Sequence, residues 1–548
     1  MLLTAAFAQK AKGKFPETAP AIGASVPSPI EGWDAQSPIA AMDPKRAVRL
    51  INFFPQPDWV ELRRGHVEHV NTGTLLPVES LMSYQGVASD KMFAVSNGSI
   101  FDVTNASAAT PTASVTGLSN DRFQYVNFAT TGGNFLYAVN GANIPQYFDG
   151  TTWATPTITG IDPTEIIGVN IHKNRLWFTL VGNSSAAYLP VDSIQGAAVE
   201  FPLGGLFNLG GFLMAMGTWT IDGGNGSDDY AVFISSEGQV AVYQGTNPAS
   251  VATWAEVGVY DMGPPIGRRC LTKVGSDIAI ISIDGVIPLS KALVFERSAS
   301  VKISLTERIQ RVMNNSARSY RDNFGWQLIP YPRGTRAILN IPVQENVEQE
   351  QYVMNTLHGA WAQFTGMNAN VWETLDDRLF FGGNDGVVYE ADRGGTDVGS
   401  ILRADMMTAF NYFNSRGQQK KWSMCRPLLT TDQQVQPGLA FNVDFQEDAP
   451  IFVPTTTALQ QALWDSAEWD SDVWAGSVAT SGQWTSVAGI GYCASIRMVV
   501  DVRHPNEGEA AVWGVSLWGV GRWSELDGPE VVLQVNGFDL IRQNGGFF

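Results

Sequence analysis

The sequence predicts a mainly β protein built around a β-propeller, and three observations carry that prediction. A strand-turn-strand cassette recurs through the middle of the chain, clearest at residues 92–101, 135–141, 232–243 and 379–389. In each copy an apolar run meets a polar residue followed by glycine, as at Asn97 and Gly98, Asn140 and Gly141, Glu237 and Gly238, and Asp385 and Gly386. That pairing suits a tight hairpin, whose backbone needs a positive φ. Taken as a ruler, Gly98, Gly141, Gly182, Gly238, Gly285, Gly334 and Gly386 are separated by 43, 41, 56, 47, 49 and 52 residues, with the copies at Gly182 and Gly334 the most degenerate. A four-stranded blade takes roughly 40 to 50 residues, so about seven blades are expected. A single blade cannot bury both faces of its sheet, and stacking around an axis is the remedy. The third observation is composition: 55 glycines and 28 prolines among many short β-branched and aromatic runs favour strands joined by turns.

At 548 residues the chain exceeds one core and divides into three regions. Residues 1–79 read as an N-terminal arm and leading strands: an extended Ala-, Pro- and Ser-rich stretch to about residue 40, then two strands at 47–55 and 59–65 around a proline turn. A polar, proline-broken arm rarely orders alone, so residues 1–40 are expected to lie against a partner surface, such as another subunit, rather than fold back. Residues 80–395 form the propeller. Near 304–320 a helical insertion is expected to project from a blade, with Ser304 and Glu307 as its capping box and Leu305, Ile309, Val312, Met313, Ala317 and Tyr320 on one face. Residues 396–548 form a C-terminal β-sandwich-like domain, with β-rich runs at 495–502 and 510–523.

Net charge is −18, which argues against a protein that grips nucleic acid through its phosphates. An acidic wall can still serve beside DNA, because a passage through which a duplex slides should repel phosphates. Cys270, Cys425 and Cys493 are odd in number and widely spaced, which predicts a reduced compartment and no disulfide scaffold. Residues 1–8 lack the basic start of a secretory signal. The uncharged stretch 201–221 is broken by Pro202 and five glycines into strand-length pieces, so no membrane span is expected.

Candidate chemistry is sparse. His66 and His69 sit three apart, on opposite faces of a strand that is expected to lie at the surface, with no third ligand nearby; no metal and no cofactor is expected. The oxygen-rich stretch 222–229 lacks the ligand order and closing glutamate of a calcium loop. Asp149, Gly150, Thr151, Thr152 and Trp153 resemble the Asp-box turn of sialidase-type propellers, which use inward arginines and a tyrosine with a carboxylate partner. Arg175, Arg268, Arg269, Arg318 and Arg321 do not recur at matching blade positions, so the box is read as a turn and no catalytic residue is assigned. Trp464, Trp469 and Trp474 step by five, matching neither helix nor strand, and are the candidate packing or interface residues.

Four segments resemble a family of virion proteins in short-tailed bacteriophages, the tail nozzle, tail tube or DNA-stabilisation proteins. They are the opening stretch 37–55, which runs from Ser37 through Asp43 and Pro44 to Phe54 and Pro55; residues 216–245, the most specific; residues 263–293; and the tryptophan repeat ending at Trp474. The resemblance implies a structural, non-enzymatic virion protein, assembled in the bacterial cytoplasm as a homo-hexameric ring below the portal and adaptor. It further implies contacts with tail fibres or spikes and transient passage of double-stranded DNA through an acidic channel during ejection. The alternative reading is a host-glycan-binding or glycan-cleaving propeller of the tail.

Overall fold

The computed structural model describes residues 20–222, 227–294, 297, 300–432, 435–457, 479–503 and 531–547. The chain forms two compact units: one of residues 66–359 and 364–393, the other of the residues before 66, 360–363 and those from 394 on.

The first unit is a propeller of seven blades. Blade one is 80–115, blade two 124–154, blade three 166–201 and blade four 213–261, each an antiparallel sheet of four strands. Blade five has three strands, Leu271–Val274, Asp277–Ser282 and Gly285–Pro288. Blade six begins with Gln327–Tyr331, Arg336–Gln344 and Glu348–Asn355. Blade seven takes Val371–Leu375, Arg378–Gly382 and Val387–Ala391, and its fourth strand is His66–Asn71 from the beginning of the unit, which pairs antiparallel with Val387–Ala391. This exchange closes the ring, because the first and last parts of the unit share one sheet. The strand that closes it lies among the residues that the sequence reading assigned to the leading strands.

Strand alternation explains the stacking. Along Lys91–Ser96 of blade one, Met92 and Ala94 join Val371, Phe380 and Val388 of blade seven, while Phe93 and Val95 join Leu136, Ala138 and Phe148 of blade two. Successive side chains of a strand point to opposite faces, so one apolar run supplies two inter-blade cores. The same arrangement packs blade two on three, three on four and four on five. Between blades three and four, Trp177 and Trp254 stack with ring centroids 5.7 Å apart.

Six of the ruler's glycines lie between the second and third strands of their blades, and five of these, Gly98, Gly141, Gly182, Gly238 and Gly386, have φ between +64° and +88°. Gly334 does not belong to the series: it sits between the first two strands of blade six, and the homologous turn is 345–347, where Asn346 takes φ +59°. Asparagine tolerates that conformation, so a ruler built on glycine alone slips by one hairpin there.

The insertion after blade five is helical in pieces. A short helix Ser300–Ile303 and a 3-10 turn Glu307–Ile309 precede the α-helix Gln310–Tyr320. Ser304 forms no capping box: its hydroxyl bonds to Val286 O and accepts from Thr306 N, which ties the segment to blade five. The helix does not project. Met313 and Ala317 are buried, Gln310 donates to Asp284 O, and Ser316 meets the Tyr352 hydroxyl at 2.9 Å.

In the second unit two sheets face each other as a β-sandwich. One contains Gln418–Thr431 and Leu533–Phe547; the other runs Ala47–Ile51, Leu402–Thr408, Ala494–Arg503, Gly438–Val443. Trp422 of the first meets Phe441 of the second at 5.4 Å. Part of the arm folds back here, against expectation: Ile22–Pro27 pairs antiparallel with Leu533–Phe547, Ile22 opposite Arg542 and Val26 opposite Phe538. Ile22, Ala24 and Val26 alternate with the more exposed Gly23 and Ser25, a strand pattern that the surrounding prolines obscured. Residues 1–19 and 510–523, residues 223–226 of the 222–229 stretch, and Trp464, Trp469 and Trp474 lie outside the described residues.

Candidate functional site: the axial cavity

The inner strands of the seven blades surround a cavity of about 900 Å³ on the propeller axis. Every blade contributes: Leu81, Tyr125, Val169, Met216, Leu271, Gln327 and Glu373 stand one per blade around its wall. Size and position suit a small-molecule site, since such pockets span roughly 300 to 1,000 Å³.

The most unusual chemistry on this wall is a glutamate and a tyrosine. Glu373 interrupts the apolar inner strand of blade seven, and Tyr125 comes from the inner strand of blade two. The Tyr125 hydroxyl donates to Glu373 Oε2 at 2.6 Å, and Ser83 of blade one meets that hydroxyl at 2.9 Å. The backbone N–H of Thr374 donates to Glu373 Oε1 at 3.0 Å. Burial pushes the Glu373 carboxyl up to about 7, opposed by its bonds from Tyr125, Thr374 and Ser83 and by the charge of Arg269. Burial, with the neighbouring carboxylate, holds the Tyr125 hydroxyl well above the usual tyrosine range. A carboxyl poised near neutrality in a cavity is characteristic of functional sites, though structural networks also produce it.

Two arginines stand beside this pair. Arg268 and Arg269, which do not recur at matching positions of other blades, immediately precede the inner strand of blade five, and both line the cavity. Arg269 Nη2 is held by Glu79 O and Ser80 Oγ at 3.0 Å and Phe123 O at 3.2 Å, while its Nη1 makes no hydrogen bond. Its guanidinium lies over the Phe324 ring at 4.8 Å, and Arg122 lies over the same ring at 4.3 Å. Arg122 is neutralised by Glu79 and Glu345, at 3.1 and 2.5 Å. Burial lowers Arg269 to about 10, which leaves it a cation at neutral pH. Arg268 donates to the carbonyls of Leu213 and Met214 and lies over Phe212 at 5.0 Å.

The other candidates are structural. His66 and His69 are buried rather than at the surface, 6% and 3% exposed. The His66 ring packs edge-on against Phe381 and Tyr389, and His69 Nε2 meets Val103 O at 2.9 Å. They fill the closing sheet because the fourth strand of blade seven lies against blade one, where the sequence reading placed solvent. No group of three or more His, Cys, Asp or Glu suited to a metal occurs among the described residues. Asp149 builds a turn, its carboxylate accepting from the backbone and hydroxyl of both Thr151 and Thr152. Those bonds hold it down to about 2. Arg175 lies over the Tyr188 ring at 5.6 Å, within blade three. Cys270, Cys425 and Cys493 are buried free thiols. No helix among the described residues is long and apolar enough to cross a membrane.

The sequence did hold a signal for the cavity. Glu373 stands alone in Val371–Leu375, and the Arg268-Arg269 doublet abuts a strand start. What it lacked was the knowledge that first strands of blades converge on one axis.

No family model and no curated protein matches the chain. Among solved structures it is similar to BBS1N in complex with ARL6DN, at 9% identity and TM-score 0.38 over 61% of this chain and 99% of that one. It is similar also to YCF48 bound to D1 peptide, at 9% identity and TM-score 0.35 over 62% and 97%. A third is the β-propeller domain of Cps50 (Swd1) from Myceliophteria thermophila, at 12% identity and TM-score 0.34 over 61% and 98%. Such scores carry no functional argument, and the propeller rests on the strand order and ring closure described above.

Proposed function

We propose that this chain is a structural protein of a short phage tail, forming a ring-shaped nozzle or tube that bounds the DNA channel below the portal and adaptor. The observation that carries the reading is the likeness of four segments to tail nozzle proteins, taken with what those segments do in the fold. The most specific, 216–245, supplies the first three strands of blade four: Met216 lies opposite Phe233 and Val232 opposite Val242. The opening stretch 37–55 is anchored by Asp34, just ahead of it, which accepts from the N–H groups of Gln36 and Ser37 and pairs with Arg46 at 2.9 Å. Among the described residues the resemblance therefore falls on segments that build the scaffold, as expected of a family related by architecture; the tryptophan repeat lies outside them. The −18 charge supports a conduit that confines DNA without adhering to it.

Native mass spectrometry with negative-stain imaging of the purified chain at high concentration tests this reading. A six-membered ring formed without added sugar supports it; a chain that stays monomeric under all assembly conditions and binds oligosaccharide instead favours the second reading. That second reading, a glycan-binding or glycan-cleaving tail propeller, draws support from the Tyr125–Glu373 pair and the arginines beside it.

A further inference from the structure

The axial cavity has chemistry that an architectural role leaves unused. Its lining holds three cations, Arg268, Arg269 and Lys273, against a single acid, Glu373. The protein as a whole carries 53 acidic and 35 Lys and Arg residues, so the cavity reverses the sign of the molecule. Among the described residues none of the three cations forms an ion pair, whereas Arg122, just outside, is bound by two carboxylates. Arg269 Nη1 is buried without an acceptor. A buried guanidinium with an unused donor is costly, and an oxyanion is the partner its geometry accepts best. Around the cations, the amides of Asn127, Asn170 and Gln327 each hold backbone groups, donating to Ser83 O, Met216 O and Trp372 O and accepting from the N–H of Gln85, Ile171 and Trp372; the second N–H of each is left to meet a hydroxyl.

We propose that the axial cavity binds a small hydroxylated organic anion, its carboxylate or phosphate held by Arg269, Arg268 and Lys273 and its hydroxyls by the amides of the inner strands. This site is independent of ring assembly: it lies within one propeller, formed by the inner strands of all seven blades. Glu373, bonded by Tyr125 and Ser83, faces the same space and disfavours an anion when ionised.

Isothermal titration of the intact chain with D-glucuronate, glucose 6-phosphate and glucose tests the proposal. Binding of either anion with none of glucose supports it, and which anion binds names the group held. Lys273 is exposed, and its side chain makes no hydrogen bond among the described residues. Its replacement, Lys273→Gln, leaves the fold intact and should weaken binding about threefold, in line with one exposed charge contact. Glu373→Gln should tighten it at alkaline pH. Arg269→Gln, checked by its melting temperature, should abolish it. No heat with either anion at tens of millimolar, equal binding of glucose, or anion binding indifferent to all three substitutions overturns the proposal.

Discussion

The Tyr125 hydroxyl donates to Glu373 Oε2 at 2.6 Å, joining the inner strands of blades two and seven across blade one. Blade one is thus held by its neighbours' polar contact on the axis as well as by the apolar clusters on its two faces. The contact also fixes how the propeller responds to pH.

Glu373 ionises near 4.5 in an unfolded chain and near 7 in the folded one. Between those values the folded state holds the extra proton, so the contribution of Glu373 to stability falls as pH rises through this window. Glu373→Gln should therefore be more stable than the parent at about pH 8, by about 1–3 kcal/mol, and the advantage should shrink toward acid. Denaturant melts across the range check it; a constant difference between the two proteins would show that the carboxyl is not shifted.

His172 carries the opposite sign. It is buried, its Nδ1 meets Thr218 Oγ1 at 3.1 Å, and burial, with Lys173 beside it, lowers its pKa from 6.5 to about 4. The unfolded state takes up the proton first, so stability is lost as pH falls from 6.5 toward 4. In the Glu373→Gln background this acid loss should appear without the opposing carboxyl, shared with His69, whose pKa burial also lowers, and an NMR titration of His172 should show a neutral ring at pH 6. A ring that titrates at its ordinary value would contradict the packing described for blade three.

Ring closure is testable in the core it creates. Phe380 is fully buried between blades seven and one, with its ring 4.8 Å from that of His69 on the closing strand. Phe380→Ala should cost about 3–5 kcal/mol and raise hydrogen exchange in His66–Asn71 and Val387–Ala391 together. Exchange that rises in only one of the two strands would mean they do not form one sheet.

The turns separate two kinds of glycine. Gly182 has φ +64° and open space where a Cβ would sit, whereas a Cβ at Gly238 would lie 2.4 Å from Met262 O. Gly182→Ala should cost about 1–2 kcal/mol for the left-handed backbone alone, and Gly238→Ala clearly more. Equal losses in thermal melts would remove the steric argument.

The propeller was legible in the sequence because its hairpins repeat at blade length and its strands alternate. Gly334 misled where Asn346 could take the same conformation, and 304–309 looked helical although Ser304 and Thr306 spend their hydroxyls on blade five. The arm's strand at Ile22–Pro27 was hidden because its partner lies more than 500 residues away. For the same reason the cavity was missed: Tyr125, Arg269 and Glu373 lie far apart along the chain, and only ring closure brings them to one axis.

The most direct test of the assembly reading is a cryo-EM reconstruction of a short tail that contains this chain. The account predicts six copies in a ring beneath the portal and adaptor, around a channel wide enough for duplex DNA and lined more by Asp and Glu than by Lys and Arg. A single copy in the tail, or a basic lumen in the assembled ring, would contradict it.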